Sequence, residues 1–593
     1  MKKMPAARCA MNLLLAACVF VLVRPSLRNP VHAEGAAVIA RSTIRVGMWT
    51  LWHDREIMIT PAAHSFLQTC GKCAAIPLTA AAILRADDAS VTLKSGRNTG
   101  HIDGIWLIGG VTLTAHGETV TLHNPIAITA RGGALIVAVT LPVESYVERV
   151  VASESGPADT AESLRALAIV VRTFALHETH GHGDYDLCDS THCQLLHWSG
   201  NLDRQRAAHV ATLSTAGETL WFHGERALAY FSKDCGGRTA SPTEIWPRSH
   251  AVTYLPSRTD RYCARSAGRE WASQLTRADI SMALASHGIA RSGWQHLTVA
   301  RRGESGRAVT LRLDANEIST EDFRLAVGQS LGWNQLPSTW FEVSQQGDRF
   351  LFHGRGWGHG VGLCQKGATA MAAQNHTAAE ILGQYFPGAQ PADELAGRSW
   401  QLFAREGIIL QSLDAADAAY LPELQRARVE AAQRSGLNTP GPITVRAFAS
   451  TPAFRNATGA PGWMAAFTEG DWIGAQALRT LASRHLLEET MRHEFMHALV
   501  EQHAGPAAPL WLREGLVEVW AEPNAKTAAT MTIKIDALDA MLAHAATESD
   551  SAVAHRAAAG YASRLLARYG RERVVEWLRS GVPVGVVATL GQR

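Results

Sequence analysis

The sequence predicts an α+β protein in which a β-rich and helical domain is followed by a mainly α domain. Residues 44–141 alternate apolar and polar positions in segments such as VTLTAHGETVTL, as half-buried strands do. From residue 142 to 179 the apolar period becomes that of amphipathic helices. Beyond residue 400 the chain is rich in alanine and leucine at helical spacing, which favours further helices.

Length and local composition indicate how these elements are grouped. A chain of 593 residues exceeds the size at which a single hydrophobic core usually stops growing. The segment YFPGAQPADELAGRSW at 385–400 is rich in Gly, Pro and Ala, which is typical of a connection between domains. We therefore expect a first domain at 34–390, a linker at 391–400 and a second domain at 401–593.

The overall charge argues against one class of function. Hydrophobic residues make up 47% of the chain and charged residues 19%, as in ordinary globular proteins, and the formal net charge is only +2. A protein that binds nucleic acid nonspecifically needs a strongly positive surface. No nucleic-acid partner is expected.

The N-terminus has the features of a secretory signal peptide covering residues 1–33. Basic residues precede an apolar stretch from Met11 to Val23, which is shorter than the ~20 residues of a membrane span. The small-residue exit Val31-His32-Ala33 places the cleavage site after Ala33. A lipoprotein-like box ends at Cys18, so lipidation remains an alternative to simple cleavage. The mature protein is expected outside the cytoplasm: periplasmic, secreted or in the cell envelope.

Removal of this leader leaves an odd number of cysteines. Seven of the nine remain, and they are Cys70, Cys73, Cys188, Cys193, Cys235, Cys263 and Cys364. In an oxidising compartment at least one thiol must then be free, bound to a metal or paired with another chain. The close pair Cys70 and Cys73 favours a small structural disulfide loop over a redox site.

Four segments in the centre of the chain resemble the SpoIID/LytB family in their amino-acid sequence and in their order along the chain. They are LPVESYVERVVASESGPADTAESLRALAIVVRTFAL, DYDLCDSTHCQ, YFSKDCGGRTASPTEIW and FHGRGWGHGVGLCQKGATAMA, and together they span about residues 142–388. The family includes lytic transglycosylases that cleave peptidoglycan glycan strands, and also proteins known as amidase modifiers. The resemblance implies that this region acts on the cell wall.

The resemblance identifies Glu154 as the catalytic acid and base. Glycan cleavage of this kind needs one carboxyl group that protonates the glycosidic oxygen and then accepts a proton from the sugar 6-hydroxyl. Glu154 falls where the first predicted helix ends against Gly156-Pro157, and burial in a cleft should raise its pKa. Glu144 and Glu148 are rival acids on the same helix.

Further residues in these segments are expected to bind substrate or metal. The groove residues implied by the resemblance are Arg172, Gln194, Ser232, Arg238, Trp357, His359 and Gln365. His182, Cys188 and His192 have ligand types and spacing suited to a zinc ion, and some family members bind zinc at matching positions. The alternative for this segment is a disulfide between Cys188 and Cys193.

A second constellation lies near the C-terminus, in HLLEETMRHEFMHALVEQH. Apolar residues recur at helical spacing, so His493 and His497 project from one face of a helix at the i, i+4 spacing that suits one zinc ion. Glu494 is placed to act as a general base. In the following helical run LWLREGLVEVWAE, Glu514 and Glu518 share a face and offer a third ligand.

This arrangement resembles the gluzincin metallopeptidases. The resemblance implies that His493, His497 and Glu514 bind zinc, that Glu494 is the base, and that Glu518 supports a ligand histidine. Tyr561 is a candidate donor for the oxyanion, with an ordinary core tyrosine as the alternative. The other interpretation of the segment is a helix pair with solvated charges.

The sequence thus predicts an extracytoplasmic cell-wall protein with a glycan-cleaving domain and a zinc-dependent peptidase domain. Its expected partners are peptidoglycan glycan strands, a peptide or protein substrate and a cell-wall amidase. Its expected cofactors are one zinc ion in the peptidase domain and a second in the central domain. The alternative is a non-catalytic wall-binding or amidase-stimulating module with a degenerate peptidase.

Overall fold

A computed structural model describes residues 43–590, except 63–64, 70–72, 97, 178–181, 201, 248, 266–269, 290–292, 394–397, 399, 439–440, 459, 461–462, 506, 522–532 and 544–546. The expected signal peptide lies outside the described residues. Helices make up 39% and strands 30% of the structure, which confirms the α+β class. Among the described helices, none combines the length and apolar character that a membrane crossing requires.

The N-terminal β region forms two antiparallel layers around one core. The first sheet has seven strands in the order Leu187–Cys188, Thr43–Met48, Ala134–Pro142, Ile126–Arg131, Gly104–Ile108, Phe66–Gln68 and Ile76–Pro77, with Leu187–Cys188 added in parallel at one edge. The second has six, in the order Glu118–Leu122, Val111–Ala115, Glu56–Pro61, Ala82–Asp87, Ser90–Ser95 and Asn98–Ile102. Alternating burial in strands such as Val111–Ala115 confirms the expected period of two.

The chain then enters the predicted helices. They span Val143–Glu154 and Ala161–His177 and are followed by Leu202–Ser214. Val143–Glu154 buries one face through Tyr146, Val147 and Val150, while Ala161–His177 is buried over most of its surface. Small strands and helices complete this part: Glu218–Phe222, Glu225–Arg226, Phe231–Ser232, Pro242–Ile245, Arg261–Arg265, Leu363–Cys364, Gln365–Ala372, Ala378–Tyr385 and Gln390–Asp393.

Residues 270–355 form an inserted unit with a hydrophobic core of its own. Its elements are Glu270–Thr276, Arg277–Ser286, Leu297–Arg302, Ala308–Leu313, Asn316–Ser319, Thr320–Leu331, Phe341–Gln346 and Arg349–Arg355. They build two three-stranded antiparallel sheets and two helices. Phe323, Phe341 and Phe352 are fully buried between them. The sequence analysis did not predict this separate core.

The C-terminal region is mainly helical, as the sequence analysis predicted, but it also contains a sheet that the analysis did not predict. Five strands form a mixed sheet in the order Gln401–Arg405, Ile408–Ser412, Ile443–Ala447, Trp472–Ala475 and Ala466–Glu469. Ile443–Ala447 pairs in parallel with both of its neighbours, and Trp472–Ala475 is buried at every position. A strand that is covered on both faces, such as Trp472–Ala475, does not alternate apolar and polar residues. In a sequence rich in alanine, such a strand is hard to distinguish from a helix.

Helices dominate the rest of this region. They are Ala415–Tyr420 (a 3₁₀ helix), Leu421–Ser435, Thr451–Thr458, Leu478–Ser483, Leu487–His503, Leu510–Ala521, Ile535–Ala543, Glu548–Ser580 and Val584–Leu590. Glu548–Ser580 is interrupted at Gly570, whose φ of 75° lies in the left-handed region. Leu510–Ala521 packs between Leu487–His503 and Glu548–Ser580.

Contacts cross the predicted domain boundary at 391–400. One hydrophobic cluster joins Leu213 and Ala216 to Phe448, Phe454 and Trp472. Residues 41–593 form one compact unit, although separate cores lie within 44–389 and 408–590. The division into domains at 34–390 and 401–593 stays a prediction.

Candidate active sites

A cleft of about 480 Å³ opens at the C-terminal end of the helix Val143–Glu154. The inserted unit contributes Trp333 to its wall, and the strand Phe231–Ser232 contributes another side. Its polar and aromatic lining comprises Trp49, Trp52, Glu118, Glu154, Asp189, Gln194, Ser232, Lys233, Trp333, Trp357 and His359. A groove lined by several aromatic rings suits a chain of sugar rings.

Glu154 is the last residue of its helix, and its carboxyl group faces this cleft. Burial raises the pKa of Glu154 to about 7, although the charge of Lys233 and hydrogen bonds from Leu195 and Gln365 act in the opposite direction. A carboxyl group with this pKa is partly protonated at neutral pH, so it can donate a proton and later accept one.

The two rival carboxyl groups on the same helix are engaged elsewhere. Glu144 accepts a hydrogen bond from Nε of Arg172 at 2.8 Å and pairs with Nη2 of the same side chain. Glu148 Oε2 lies 2.9 Å from Nδ1 of His209. Neither residue lines the cleft. Of the three glutamates, the structure brings only Glu154 to the groove.

The expected groove residues divide into two groups. Gln194, Ser232, Trp357 and His359 line the cleft, and Nε2 of Gln365 lies 3.5 Å from the carbonyl oxygen of Glu154. The Ser232 hydroxyl is buried and has no hydrogen-bond partner among the residues that the structure describes. Burial lowers the pKa of His359 to about 4, which keeps its ring neutral.

Arg172 and Arg238 do not lie where the sequence analysis placed them. Arg172 is fully buried among backbone carbonyls and Glu144, so it holds helices together rather than contacting a ligand. Arg238 bonds to Ser257 and pairs with Glu304 outside the cleft. Both positions fall within family-like segments, and proximity in sequence could not show which side chains face the groove.

Sequence analysis missed several residues that shape the groove. Asp189 accepts hydrogen bonds from the backbone of Trp49 at 2.6 Å and from Nε1 of Trp198 at 3.0 Å, and so ties the N-terminal strand region to the cleft. Trp52 is 60% exposed at the rim, where its ring stacks on His116 at 4.4 Å. The exposure of Trp52, which marks this wall as a candidate contact surface, is visible only in the structure and not in the sequence.

His182, Cys188 and His192 meet beside the cleft, together with Cys193, which the metal prediction omitted. Cys193 Sγ lies 3.2 Å from His182 Nε2 and 3.7 Å from His192 Nδ1, and Cys188 Sγ lies 3.8 Å from His192 Nδ1. Ligand atoms of a tetrahedral zinc lie roughly 3.3–3.8 Å apart, given its bond lengths. The two sulfur atoms, 2.7 Å apart and not joined as a disulfide, are closer than that spacing. The donor set is that of a structural zinc site.

The HExxH helix, Leu487–His503, brings two imidazoles together as predicted. Nε2 of His493 and Nε2 of His497 are 3.1 Å apart, and Oε2 of Glu514 lies 3.8 Å from His497 Nε2. Burial lowers the pKa of each histidine to about 4, so both rings are neutral and keep a lone pair at neutral pH. Two neutral imidazole rings beside a carboxyl group provide ligand types that suit zinc.

Glu494, next to His493 on the same helix, is held by the edge strand Ala466–Glu469. Its Oε2 accepts a hydrogen bond of 2.7 Å from the Thr468 hydroxyl, which also donates to the Glu494 carbonyl. Burial raises the pKa of Glu494 to about 7. A carboxyl group with this pKa can take up and release a proton near neutrality.

His555 completes this site, and the sequence analysis did not identify it. Its Nδ1 lies 3.1 Å from Glu518 Oε1 and 3.6 Å from Glu514 Oε2. Burial opposes its protonation, but the hydrogen bond to Glu518 and the charge of Glu514 raise its pKa overall. Glu518 therefore pairs with His555 and not, as expected, with a ligand histidine.

Tyr561 is placed differently from the oxyanion donor that the sequence analysis suggested. Its hydroxyl donates to the carbonyl of Ile533 at 3.0 Å, and the side chain is 3% exposed. Its ring packs edge-on against Trp511. These contacts correspond to the alternative interpretation, a tyrosine of the core.

Comparison with known proteins supports the resemblance of the central region. The SpoIID family, described as stage II sporulation protein, matches residues 131–222, and a domain of unknown function (DUF8618) matches residues 263–362. An uncharacterised protein of Brachyspira hyodysenteriae is 27% identical over 296 residues, covering 49% of this chain and 78% of its own length. Stage II sporulation protein D of Bacillus subtilis is 26% identical over 290 residues, covering 46% of this chain and 81% of that protein. The amidase enhancer of Bacillus subtilis is 22% identical over 291 residues, covering 40% and 39%.

Proposed function

We propose that the central region of the chain cleaves peptidoglycan glycan strands by non-hydrolytic transglycosylation, with Glu154 as acid and base. The main support is the position of one carboxyl group, at a helix end and in an aromatic-lined cleft, with its pKa raised to about 7. Similarity to a family of stage II sporulation proteins agrees with a role in cell-wall remodelling. A peptidoglycan substrate would require the protein to act outside the cytoplasm.

One carboxyl group is sufficient for this chemistry. Protonated Glu154 gives its proton to the glycosidic oxygen as the bond to the anomeric carbon breaks. The 6-hydroxyl oxygen of the same sugar then bonds to that carbon, and its proton passes to the Glu154 carboxylate. The product is a 1,6-anhydro end, and no water is consumed. Hydrolysis by the usual mechanisms would need a second carboxylate beside the bond.

The remaining carboxylates that line the cleft have structural partners. Glu118 accepts a hydrogen bond of 2.9 Å from Nε1 of Trp49, and Asp189 accepts from Trp49, Thr50 and Trp198. These bonds hold both groups as fixed acceptors in the wall. The cleft therefore provides one acid, which matches transglycosylation better than hydrolysis.

The products of digestion test this proposal. Purified peptidoglycan and peptide-free glycan strands are digested and analysed by mass spectrometry for anhydro-muramyl ends. Wild-type protein should generate these ends, and Glu154→Gln should reduce their yield at least ~100-fold. Glu148→Gln is the matched control, because this residue is on the same helix but does not line the cleft, and it should retain activity. Equal yields of anhydro ends from the wild type and Glu154→Gln would refute the assignment.

A non-catalytic role is the second candidate, because one relative is named an amidase enhancer. On this alternative the cleft binds glycan and stimulates a separate amidase, and the C-terminal region is a degenerate peptidase. The same digestion separates the two. The non-catalytic role would be favoured if the protein binds glycan strands but produces no anhydro ends. In that role it would also make an added cell-wall amidase release peptides faster.

The second proposed activity is zinc-dependent cleavage of a peptide or protein by the C-terminal region. His493, His497 and Glu514 would hold the ion: the two imidazole nitrogens lie 3.1 Å apart, and Oε2 of Glu514 lies 3.8 Å from His497 Nε2. Bound zinc would polarise the scissile carbonyl and make an attacking water more acidic. Glu494, held by Thr468, takes the proton of that water and passes it to the leaving amine. His555 replaces Tyr561 as the candidate donor to the oxyanion.

Zinc content and proteolysis of a generic substrate test this activity together. His493→Ala should lose about one zinc per chain and all proteolysis. Glu494→Gln should keep the zinc and lose proteolysis, because it removes the base without removing a ligand. Full metal and activity in His493→Ala would remove the assignment.

The cluster of His182, Cys188, His192 and Cys193 is proposed to hold another zinc ion. Cys193 lines the cleft and Gln194 follows it, so a bound ion would fix the segment that forms this wall. Cys188→Ser should lower the zinc content by about one ion per chain. A Cys188–Cys193 disulfide in the purified protein, found by mass mapping, would contradict this site.

A further inference from the structure

Three cysteines and an aspartate from distant parts of the chain meet in the core. Cys235, Asp260, Cys263 and Cys364 each offer a ligand atom, and these atoms all lie within 4.8 Å of one another. The four residues are at most 2% exposed, and none of the three cysteines forms a disulfide. We infer that they form a separate structural metal site that binds Zn²⁺ through three thiolates and one carboxylate.

The carboxylate is held in place as a ligand would be. Asp260 Oδ1 accepts hydrogen bonds from the backbone of Tyr262 and Cys263 at 3.1 and 3.0 Å. Oδ2 faces the thiols: it lies 3.3 Å from Cys235 Sγ and accepts a hydrogen bond of 2.8 Å from the Tyr385 hydroxyl. Hydrogen bonds to the outer side of a ligand are what orient ligands in metal sites.

The surroundings of the cluster leave no room for a larger residue. A Cβ atom on Gly367 would lie 2.0 Å from the Tyr385 hydroxyl and 2.5 Å from Asp260 Oδ2. The glycine therefore allows the helix Gln365–Ala372 to approach the cluster closely. A tetrahedral zinc with three sulfur ligands and one oxygen ligand needs no space for water, so the closed surroundings suit a structural ion and not a catalytic one.

The number of cysteines also favours a metal. Cys73 is disulfide-bonded, and Cys188 and Cys193 belong to the cluster beside the cleft. Cys235, Cys263 and Cys364 are an odd number of thiols and cannot all form disulfides with one another. Three thiolates on one zinc ion would leave none of these three unpaired in an oxidising compartment.

The position of the cluster suggests what the ion holds together. Cys263 precedes the inserted unit at 270–355, and Cys364 follows it. Cys235 lies two residues after Lys233 of the cleft wall, and Gln365, which contacts Glu154, is next to Cys364. A zinc ion here would fasten both ends of the inserted unit to the cleft, independently of the reaction that the cleft performs.

Elemental analysis tests the site once the other candidate sites are removed. The full-length quadruple variant Cys188→Ser, Cys193→Ser, His493→Ala, His497→Ala should retain about one zinc per chain. Adding Cys364→Ser should bring the zinc content close to zero. A quadruple variant without bound metal after expression with added zinc would overturn the inference.

Two further measurements keep the test decisive if the Cys364→Ser variant fails to fold. Co²⁺ loaded into the quadruple variant should give the intense charge-transfer absorption of cobalt–thiolate bonds, and its absence would refute the site. Mass mapping without reduction should find all three cysteines free after denaturation in chelator. A disulfide between any two of them would overturn the inference.

A matched pair of aspartates separates metal binding from structural support. Asp314 accepts two backbone hydrogen bonds, from Gln295 and His296, as Asp260 does from Tyr262 and Cys263. In the quadruple variant, Asp260→Asn should weaken zinc binding at least ~10-fold in competition with a chelator, whereas Asp314→Asn should not. Equal affinities in the two variants would exclude Asp260 as a ligand.

Discussion

At the scale of single residues, the structure separates groups that act from groups that support. Glu154 and Glu494 are both carboxyl groups whose pKa burial raises to about 7, and both lie beside candidate substrate sites. Arg172 belongs to the same family-like segment as Glu154. Its guanidinium, however, donates hydrogen bonds to Glu144 and to backbone carbonyls. Residue type and motif membership alone did not distinguish these roles.

Arg172 is therefore expected to control stability more than ligand binding. Arg172→Ala should lower the free energy of unfolding by about 3–5 kcal/mol, because it leaves Glu144 without its buried partner. Arg238→Ala, which removes a pair with an exposed glutamate, should change it by less than ~1 kcal/mol. Urea denaturation measures both. A stable Arg172→Ala variant that no longer binds glycan would show that the original groove assignment was right.

At the scale of elements, the sequence predicted the helices well and the C-terminal sheet poorly. The break at Gly156-Pro157 separates helices at Val143–Glu154 and Ala161–His177, and the HExxH helix spans Leu487–His503, close to the predicted segments. The strand Trp472–Ala475 was missed because it is buried at every position and shows no polar alternation. His555 was missed because helical periodicity places residues on a face but does not identify the neighbouring helix.

Close packing of two helices sets the position of Glu514. A Cβ on Gly515 would lie 2.3 Å from the Ala558 carbonyl oxygen, so the glycine allows Leu510–Ala521 to touch Glu548–Ser580, which carries His555. Gly515→Ala should destabilise the protein by about 1–3 kcal/mol and weaken zinc binding by separating these helices.

Gly383 provides the matched control for this substitution. It lies in the helix Ala378–Tyr385 with no atom within 4 Å of an added Cβ, so Gly383→Ala should stabilise the protein by up to ~1 kcal/mol. Thermal denaturation and zinc titration measure both variants. Wild-type stability and zinc affinity in Gly515→Ala would contradict the proposed packing role.

At the scale of the whole molecule, buried contacts join the central and C-terminal regions. Arg446 is 1% exposed; it pairs with Glu218, donates to the Ala216 carbonyl at 3.0 Å and lies over the Trp400 ring at 4.7 Å. His209 lies between Glu148 and Glu469 on the two sides. The linker sequence alone predicted separation and did not indicate these contacts.

Arg446 should therefore couple the unfolding of the two regions. Arg446→Ala leaves Glu218 without its buried partner, which should cost about 3–5 kcal/mol and split one calorimetric transition into two. Arg479→Ala, which removes an exposed pair with Asp414, is the control and should leave the transition unchanged. Two transitions already present in the wild type would show that the regions unfold independently.

The rate of anhydro-end formation as a function of pH tests the role of Glu154 most directly. Burial raises the pKa of this carboxyl group from 4.5 to about 7, so the protonated form that starts the reaction is abundant below pH 7 and is lost above it. We expect the rate on peptide-free glycan strands to fall about tenfold per pH unit above this value, and Glu154→Gln to be inactive throughout. A wild-type rate that stays constant from about pH 5 to pH 9, with no fall above pH 7, would contradict Glu154 as the proton donor.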